Sequence, residues 1–207
     1  MKKKFLLVLA ALAAVLTVFV GFSSTSTPAY AAKSSKKVLV VYFSRREGVY
    51  KGPLKVGNTE RLARAIKKRT KADVYQIEPQ KQYSNSYKKT ADRAQREEQN
   101  GARPALKGSL PNVSKYDTVF IGAPVWWGTY PMVVRTFLDK EPGLNGKTLI
   151  PFTTNEGSGL ADTSEILSKQ FSKAKVRKGF SLRGTYVQKH PKKAQKKVNS
   201  WLKKLGY

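Results

Sequence analysis

Two adjacent tryptophans, Trp126 and Trp127, lie between Gly122-Ala123-Pro124-Val125 and Gly128-Thr129-Tyr130-Pro131. Neighbouring loop residues rarely both point inward, so the pair predicts one packed ring and one free to stack on a planar ligand. The plainer alternative is that both plug a corner of the core. A second group joins Ser44 to Gly57-Asn58-Thr59, just before a helical pattern. Hydroxyls beside the open amides and positive dipole end of a helix suit an anion, although an ordinary capped turn has the same composition. A third group, Thr154-Asn155-Glu156-Gly157-Ser158-Gly159, is a glycine-rich loop. Together they describe a phosphate contact, a stacking ring and a second wall.

The elements that position these groups follow from apolar patterning. Val38–Phe43 is a continuous apolar run, as is Thr118–Ile121, and both read as strands buried on two faces. Residues 72–79 alternate and predict a shorter edge strand. Lys147–Thr154 and Lys175–Leu182 supply a fourth and a fifth. Between them, helical spacing begins at Glu60 (Leu62, Ala63, Ile66) with Asn58 or Thr59 as the expected N-cap. Further helices are expected over 84–99, after Pro131, over 162–171, and over 191–205 with Val198, Trp201, Leu202 and Leu205 inward. Strands alternating with helices predict a right-handed, doubly wound five-stranded parallel sheet. With strand order 2-1-3-4-5, the three loops meet at the carboxyl edge, where the order switches between strands one and three.

The 207 residues suit a single domain, assigned to 38–207. Residues 1–31 predict a cleavable export signal: Lys2–Lys4, an apolar stretch from Phe5 to Phe22, and Ala29-Tyr30-Ala31 as the small-residue site. An uncleaved anchor is the rival reading. Residues 32–37 form a basic linker. Cysteine is absent, which excludes disulfides, thiolate chemistry and lipid attachment at a cysteine. The formal charge is +27; three of these charges, Lys2–Lys4, fall within residues 1–31, which hold no acid, leaving +24 on the rest. Such an excess implies attraction to polyanions. For a protein expected outside the cytoplasm, the expected partner is an anionic cell surface, and no specific nucleic-acid motif appears. His190, before Pro191, has no nearby acid or second histidine and reads as a surface turn residue. No metal-ligand cluster or Ser/His/Asp spacing is present.

From about Lys37 to Gly184 the chain resembles the flavodoxin-like proteins that bind FMN. The segments that carry the resemblance are Val-Val-Tyr-Phe-Ser (40–44), Val-Gly-Asn-Thr-Glu (56–60), Ile-Glu-Pro (77–79) and Gly-Ala-Arg-Pro-Ala-Leu (101–106). They continue with Gly-Ala-Pro-Val-Trp-Trp-Gly-Thr-Tyr-Pro (122–131), Val-Arg-Thr-Phe-Leu (134–138) and Gly-Ser-Gly-Leu (157–160). The resemblance implies non-covalent FMN, with its phosphate held by Ser44, Gly57, Asn58 and Thr59. It also implies an isoalloxazine lined by Pro124, Val125, Trp126, Trp127 and Gly128, and a far wall of Thr154, Asn155, Glu156, Gly157, Ser158 and Gly159. Three departures stand out. Arg45 to Val56 lengthen the phosphate loop, so Arg45 and Arg46 could add charge-assisted bonds to phosphate or the loop could cap the site. The wall reads Thr-Asn-Glu-Gly-Ser-Gly where the family often has Thr-His-Gly-Gly-Ser-Gly, which brings the Glu156 carboxylate near the ring. The chain is basic where electron-carrier flavodoxins are usually acidic.

The resulting expectation is an exported FMN-binding protein for electron transfer or reduction of small acceptors such as quinones, with a redox partner protein or a small quinone-like acceptor. No catalytic acid or base is singled out. The competing expectation is a flavin-free module that keeps the fold and adheres to anionic wall or membrane through its basic surface.

Overall fold

A computed structural model describes residues 37–207; the expected export signal (1–31) and nearly all of the expected basic linker (32–37) fall outside the described residues. The elements in order are β1 (Val38–Tyr42), α1 (Asn58–Thr70), β2 (Asp73–Gln76), α2 (Tyr87–Gln99), β3 (Thr118–Pro124), α3 (Met132–Lys140) and β4 (Thr148–Asn155). Then come α4 (Thr163–Gln170), β5 (Lys175–Val176), β6 (Phe180–Arg183), α5 (Gly184–Lys189) and α6 (Pro191–Lys204). The sheet is parallel throughout, in the order β2-β1-β3-β4-β5, with β6 also paired to β4. This is the flavodoxin-like doubly wound α/β fold that the sequence predicts.

Alternation along each central strand divides the core in two. On one side Val38, Val40 and Tyr42 of β1, with Phe120, Ile150 and Phe152, meet Leu62 and Ile66 of α1, Val187 of α5 and Val198 and Leu202 of α6. On the other, Leu39, Val41 and Phe43 join Val119 and Ile121 against Val133, Val134 and Phe137 of α3 and Leu167 of α4. Each such fully buried aliphatic contributes about 1.5–3 kcal/mol. These two cores hold the carboxyl ends of β1, β3 and β4 rigidly beside one another.

Two local expectations are corrected. The stretch Lys175–Leu182 is two strands, not one. Leu149 pairs with Val176 and Phe152 with Phe180, so three residues on the edge oppose two on β4. The cause lies in Pro151, which has no amide hydrogen to give the neighbouring strand. Gly179 packs so closely there that a Cβ would stand 2.6 Å from the Pro151 carbonyl oxygen. The other correction is α5, a six-residue helix too short to show a period.

Candidate functional site

A cleft of about 350 Å³ opens at the carboxyl edge, between the ends of β1 and β3, within the usual size range for small-molecule sites. Its walls include Ser44, Arg45, Asn58, Thr59, Pro124, Val125, Trp126, Trp127, Thr154, Asn155 and Glu156. The remaining candidates, Gly57, Gly128, Gly157, Ser158 and Gly159, lie outside its lining and shape the loops behind it.

The candidate anion cradle is built by substitution. The helix starts at Asn58, two residues before the helical spacing read from Glu60, so the N-cap is not Asn58 or Thr59 but Gly57, which has no side chain to cap with. Ser44 Oγ takes over that task across the loop, accepting from the Glu60 amide at 3.1 Å. A Cβ on Gly57 would be only 2.3 Å from that oxygen, so glycine is required by this close approach. Glu60 accepts from the Gly57 amide at 3.3 Å and from Arg46 and Arg64. Burial pushes its carboxyl upward, but the bonds from Arg46, Gly57 and Arg64 outweigh this and hold it below the usual range. The amides of Asn58 and Thr59 have no partner within their helix. Thr59 Oγ1 and Thr154 Oγ1 are hydrogen-bonded at 2.7 Å, which ties α1 to the end of β4. Asn58 Oδ1 is buried without a partner, an acceptor awaiting a donor.

The two tryptophans part company. Trp126 packs edge-on against Phe43 and Tyr83, with centroids 5.4 and 5.0 Å away. Trp127 is 52% exposed. Trp126 and Thr129 exchange both backbone bonds, at 3.0 and 3.1 Å, and the two residues between them have φ of 49° and 82°. That is the signature of a type I′ hairpin tip. A bulky side chain at positive φ is uncommon and costs roughly 1–3 kcal/mol. The tip thrusts the Trp127 ring into the cleft mouth, and its Nε1 donates to the Ala91 carbonyl at 3.0 Å, fixing its orientation.

Arg45 is at the wall, but its guanidinium is engaged elsewhere. It donates to the carbonyls of Tyr83 and Ser84 at 3.1 and 2.9 Å and to Thr90 Oγ1 at 3.3 Å. Burial lowers its pKa. Arg46 faces Glu60. Both arginines therefore brace the extended loop against α2 and α1. The extension folds back through bonds from the Gly52 amide to Val49 and the Leu54 amide to Arg46. This brings Gly48, Val49 and Tyr50 into the cleft wall, and Gly48, at φ 61°, leaves no room for a Cβ beside the Ser84 carbonyl.

On the far wall, Asn155 organises the glycine loop. Its Nδ2 donates to the Gly159 carbonyl and to Ser181 Oγ at 3.1 and 2.6 Å, and its Oδ1 accepts from the Gly157 amide at 2.7 Å. Glu156 accepts from the amide and hydroxyl of Thr185 at 2.9 and 2.8 Å, so its charge is shared with the start of α5.

Sequence reasoning missed Tyr50, Tyr87, Thr90, Ala91, Ala94 and Gly184, which also line the cleft. Tyr50 and Tyr87 are 46% and 54% exposed and face each other at 6.0 Å. An aromatic in the first turn of an otherwise polar helix was the available signal for Tyr87. A Cβ on Gly184 would stand 2.7 Å from Asn58 Nδ2.

An open helix start and an oriented, half-exposed indole share one cleft at the switch point of a doubly wound α/β sheet, the edge where ligands of such sheets bind. The flavodoxin family model matches residues 37–204, and the chain belongs to that family. Among solved structures, it is similar to a candidate flavoprotein from Bacteroides uniformis (29% identity, 82% of this chain and 99% of that one, TM-score 0.64). A candidate flavoprotein from Bacteroides eggerthii is 27% identical over 83% of this chain and 99% of its own, with TM-score 0.62. A Lactobacillus acidophilus flavoprotein solved with FMN shares the fold at 20% identity, over 74% of this chain and 97% of its own, with TM-score 0.57. No curated protein shows significant similarity to the chain.

Proposed function

We propose that the protein is an exported FMN-binding flavoprotein that passes electrons or hydride equivalents to a small acceptor such as a quinone, or to a redox partner protein. The observation that carries this reading is that the Asn58–Thr59 amides and the oriented Trp127 ring share one cleft. Membership of the flavodoxin family supports it, and the signal-like residues 1–31 support the location. Bound FMN would supply the redox chemistry.

The chain's own residues fit such a ligand. The Asn58 and Thr59 amides and the Ser44 hydroxyl would take the phosphate, with the α1 dipole adding to the attraction. Ser44 Oγ already accepts from the Glu60 amide, so its hydrogen is free to be donated. Asn58 Oδ1 would accept from a ribityl hydroxyl, which would satisfy its missing bond. Trp127 would support one face of the ring system, and Tyr50 and Tyr87 would screen the mouth from water. Glu156, though shared with Thr185, keeps a negative charge at the wall and opposes any gain of negative charge beside it.

Titration of the purified protein with FMN tests this reading. Binding with quenched flavin fluorescence is expected. Trp127→Ala should lose most of the quenching and weaken affinity about two- to tenfold, since an aromatic stack is worth roughly 0.5–1.5 kcal/mol. Absence of binding at tens of micromolar would reject the flavin reading in favour of a flavin-free adhesion module. Export is checked separately: protein recovered from the medium should begin at Ala32, and recovery only from the cell fraction with residues 1–31 intact would refute cleavage and release.

A further inference from the structure

Between helices α1 and α6 is a second feature that the flavin reading does not use. Helices α1 and α6 pack side by side over one face of the sheet. Helix α6 carries six lysines and no acid. Helix α1 carries five basic residues against one acid, Glu60, which Arg46 and Arg64 already share. Between the helices runs a groove of about 280 Å³, floored by the small side chains of Ala65 and Ala194. Arg61, Arg64 and Lys68 stand on one bank, and Lys192 and Gln195 on the other. The first three recur at three- and four-residue intervals, so they form one stripe with charges rising about 4.5 and 6 Å along the axis. Arg61 Nε is buried without a partner.

We propose that this groove binds a linear, flexible polyanion bearing phosphate groups repeated along its chain. The proposal is independent of the flavin site. Cations on both banks of a narrow trough fit a thread that lies within it. Guanidinium forks beside ammonium groups suit phosphate oxygens in particular. A lipid bilayer is a poorer occupant, because surface binding of a basic helix also needs apolar or aromatic residues to bury in the interface. Among the described residues the exposed large hydrophobics are Tyr50, Val74, Tyr87 and Trp127, none of them on α1 or α6. Single-stranded nucleic acid is poorer too, since it needs rings on which bases stack. Helix α1 has no aromatic residue, and Trp201 of α6 is spent inside, stacked on Phe180 with centroids 5.0 Å apart.

The test compares the purified protein with two triple variants of equal charge change. Lys68→Gln/Lys192→Gln/Lys196→Gln alters the groove and its next turn, all exposed positions. Lys115→Gln/Lys140→Gln/Lys173→Gln alters exposed lysines beside the other core, on the far face of the sheet. Binding of long-chain inorganic polyphosphate is titrated over a range of salt concentrations. The groove triple should flatten the dependence of log K on log salt by about two, three charges at roughly 0.7 each for a single chain. The far-face triple should leave slope and affinity unchanged. FMN titration should be the same in all three proteins, so a failure here is distinct from a failure of the flavin reading. Equal weakening by both triples would reduce the effect to net charge and overturn the proposal. So would tighter binding, through the same three lysines, of phosphatidylglycerol vesicles or of a thymidine oligonucleotide.

Discussion

Replacing Gly57 by alanine probes how the anion cradle is built. At φ −62° and ψ 150° the backbone there is open to any residue, so the cost is one of contact alone. The new methyl would be placed 2.3 Å from Ser44 Oγ and 2.7 Å from the Arg45 carbonyl oxygen. The hydroxyl can swing away, but only by giving up its bond from the Glu60 amide, a cap worth about 0.5–2 kcal/mol. The carbonyl is backbone and cannot swing, so the loop must shift, at a cost of about 1–3 kcal/mol for an overpacked site. Gly57→Ala should therefore destabilise by roughly 2–4 kcal/mol. Ser44→Ala alone should cost about 1 kcal/mol. In the double variant the cap is already gone and only the carbonyl contact remains. Its loss should fall short of the sum by about 1 kcal/mol, well outside the error of additivity for independent sites. Urea denaturation of the four proteins at neutral pH measures the cycle. Additivity within about 0.5 kcal/mol would refute the claim that Gly57 is glycine because Ser44 caps the helix from outside.

Gly122→Ala should be more severe, at about 3 kcal/mol or above, because its Cβ would enter the Phe152 ring paired to it across β3 and β4; adding Phe152→Leu should restore part of the loss in the same denaturation assay. Gly184→Ala should spare the urea midpoint by comparison but weaken FMN, since its Cβ crowds Asn58 Nδ2 at 2.7 Å and Glu156 Oε1 at 3.0 Å. Acid should selectively remove the Glu60 contribution. Its pKa is lower folded than unfolded, so the stabilisation is complete above the unfolded value of about 4.3 and is lost as pH falls through the folded one. Arg46 and Arg64 are more than half exposed, which limits the effect to about 1–2 kcal/mol. Glu60→Gln should show that loss at pH 7 and converge on the parent protein only once pH has fallen below the lowered folded pKa of Glu60, as followed by urea midpoints.

What was legible in the sequence is what depends on neighbours in the chain. Val38–Phe43 and Thr118–Ile121 are apolar on both faces, and the residues after them turn polar or break at glycine and proline, so both the sheet and its functional edge could be read. The separation of Trp126 from Trp127 was legible for the same reason, since two adjacent side chains cannot share one direction. The bonds of Arg45 were not, because they run to carbonyls 38 and 39 residues away. Nothing in Ser44-Arg45-Arg46 distinguishes a guanidinium aimed at a ligand from one bolted to α2. The split of the last strand was hidden likewise: its cause, Pro151, is on the neighbouring strand. The helix α5 and its Gly184 are too brief to carry a period. These gaps have a common origin. The extended loop, the hairpin tip and α5 are each tied to another wall of the cleft, through Gln188 to the Tyr50 carbonyl, Trp127 to Ala91 and Thr185 to Glu156. A site assembled this way should respond to its ligand as one unit. Ligand binding should therefore slow amide exchange in all three segments together, and protection confined to the α1 start would contradict that coupling.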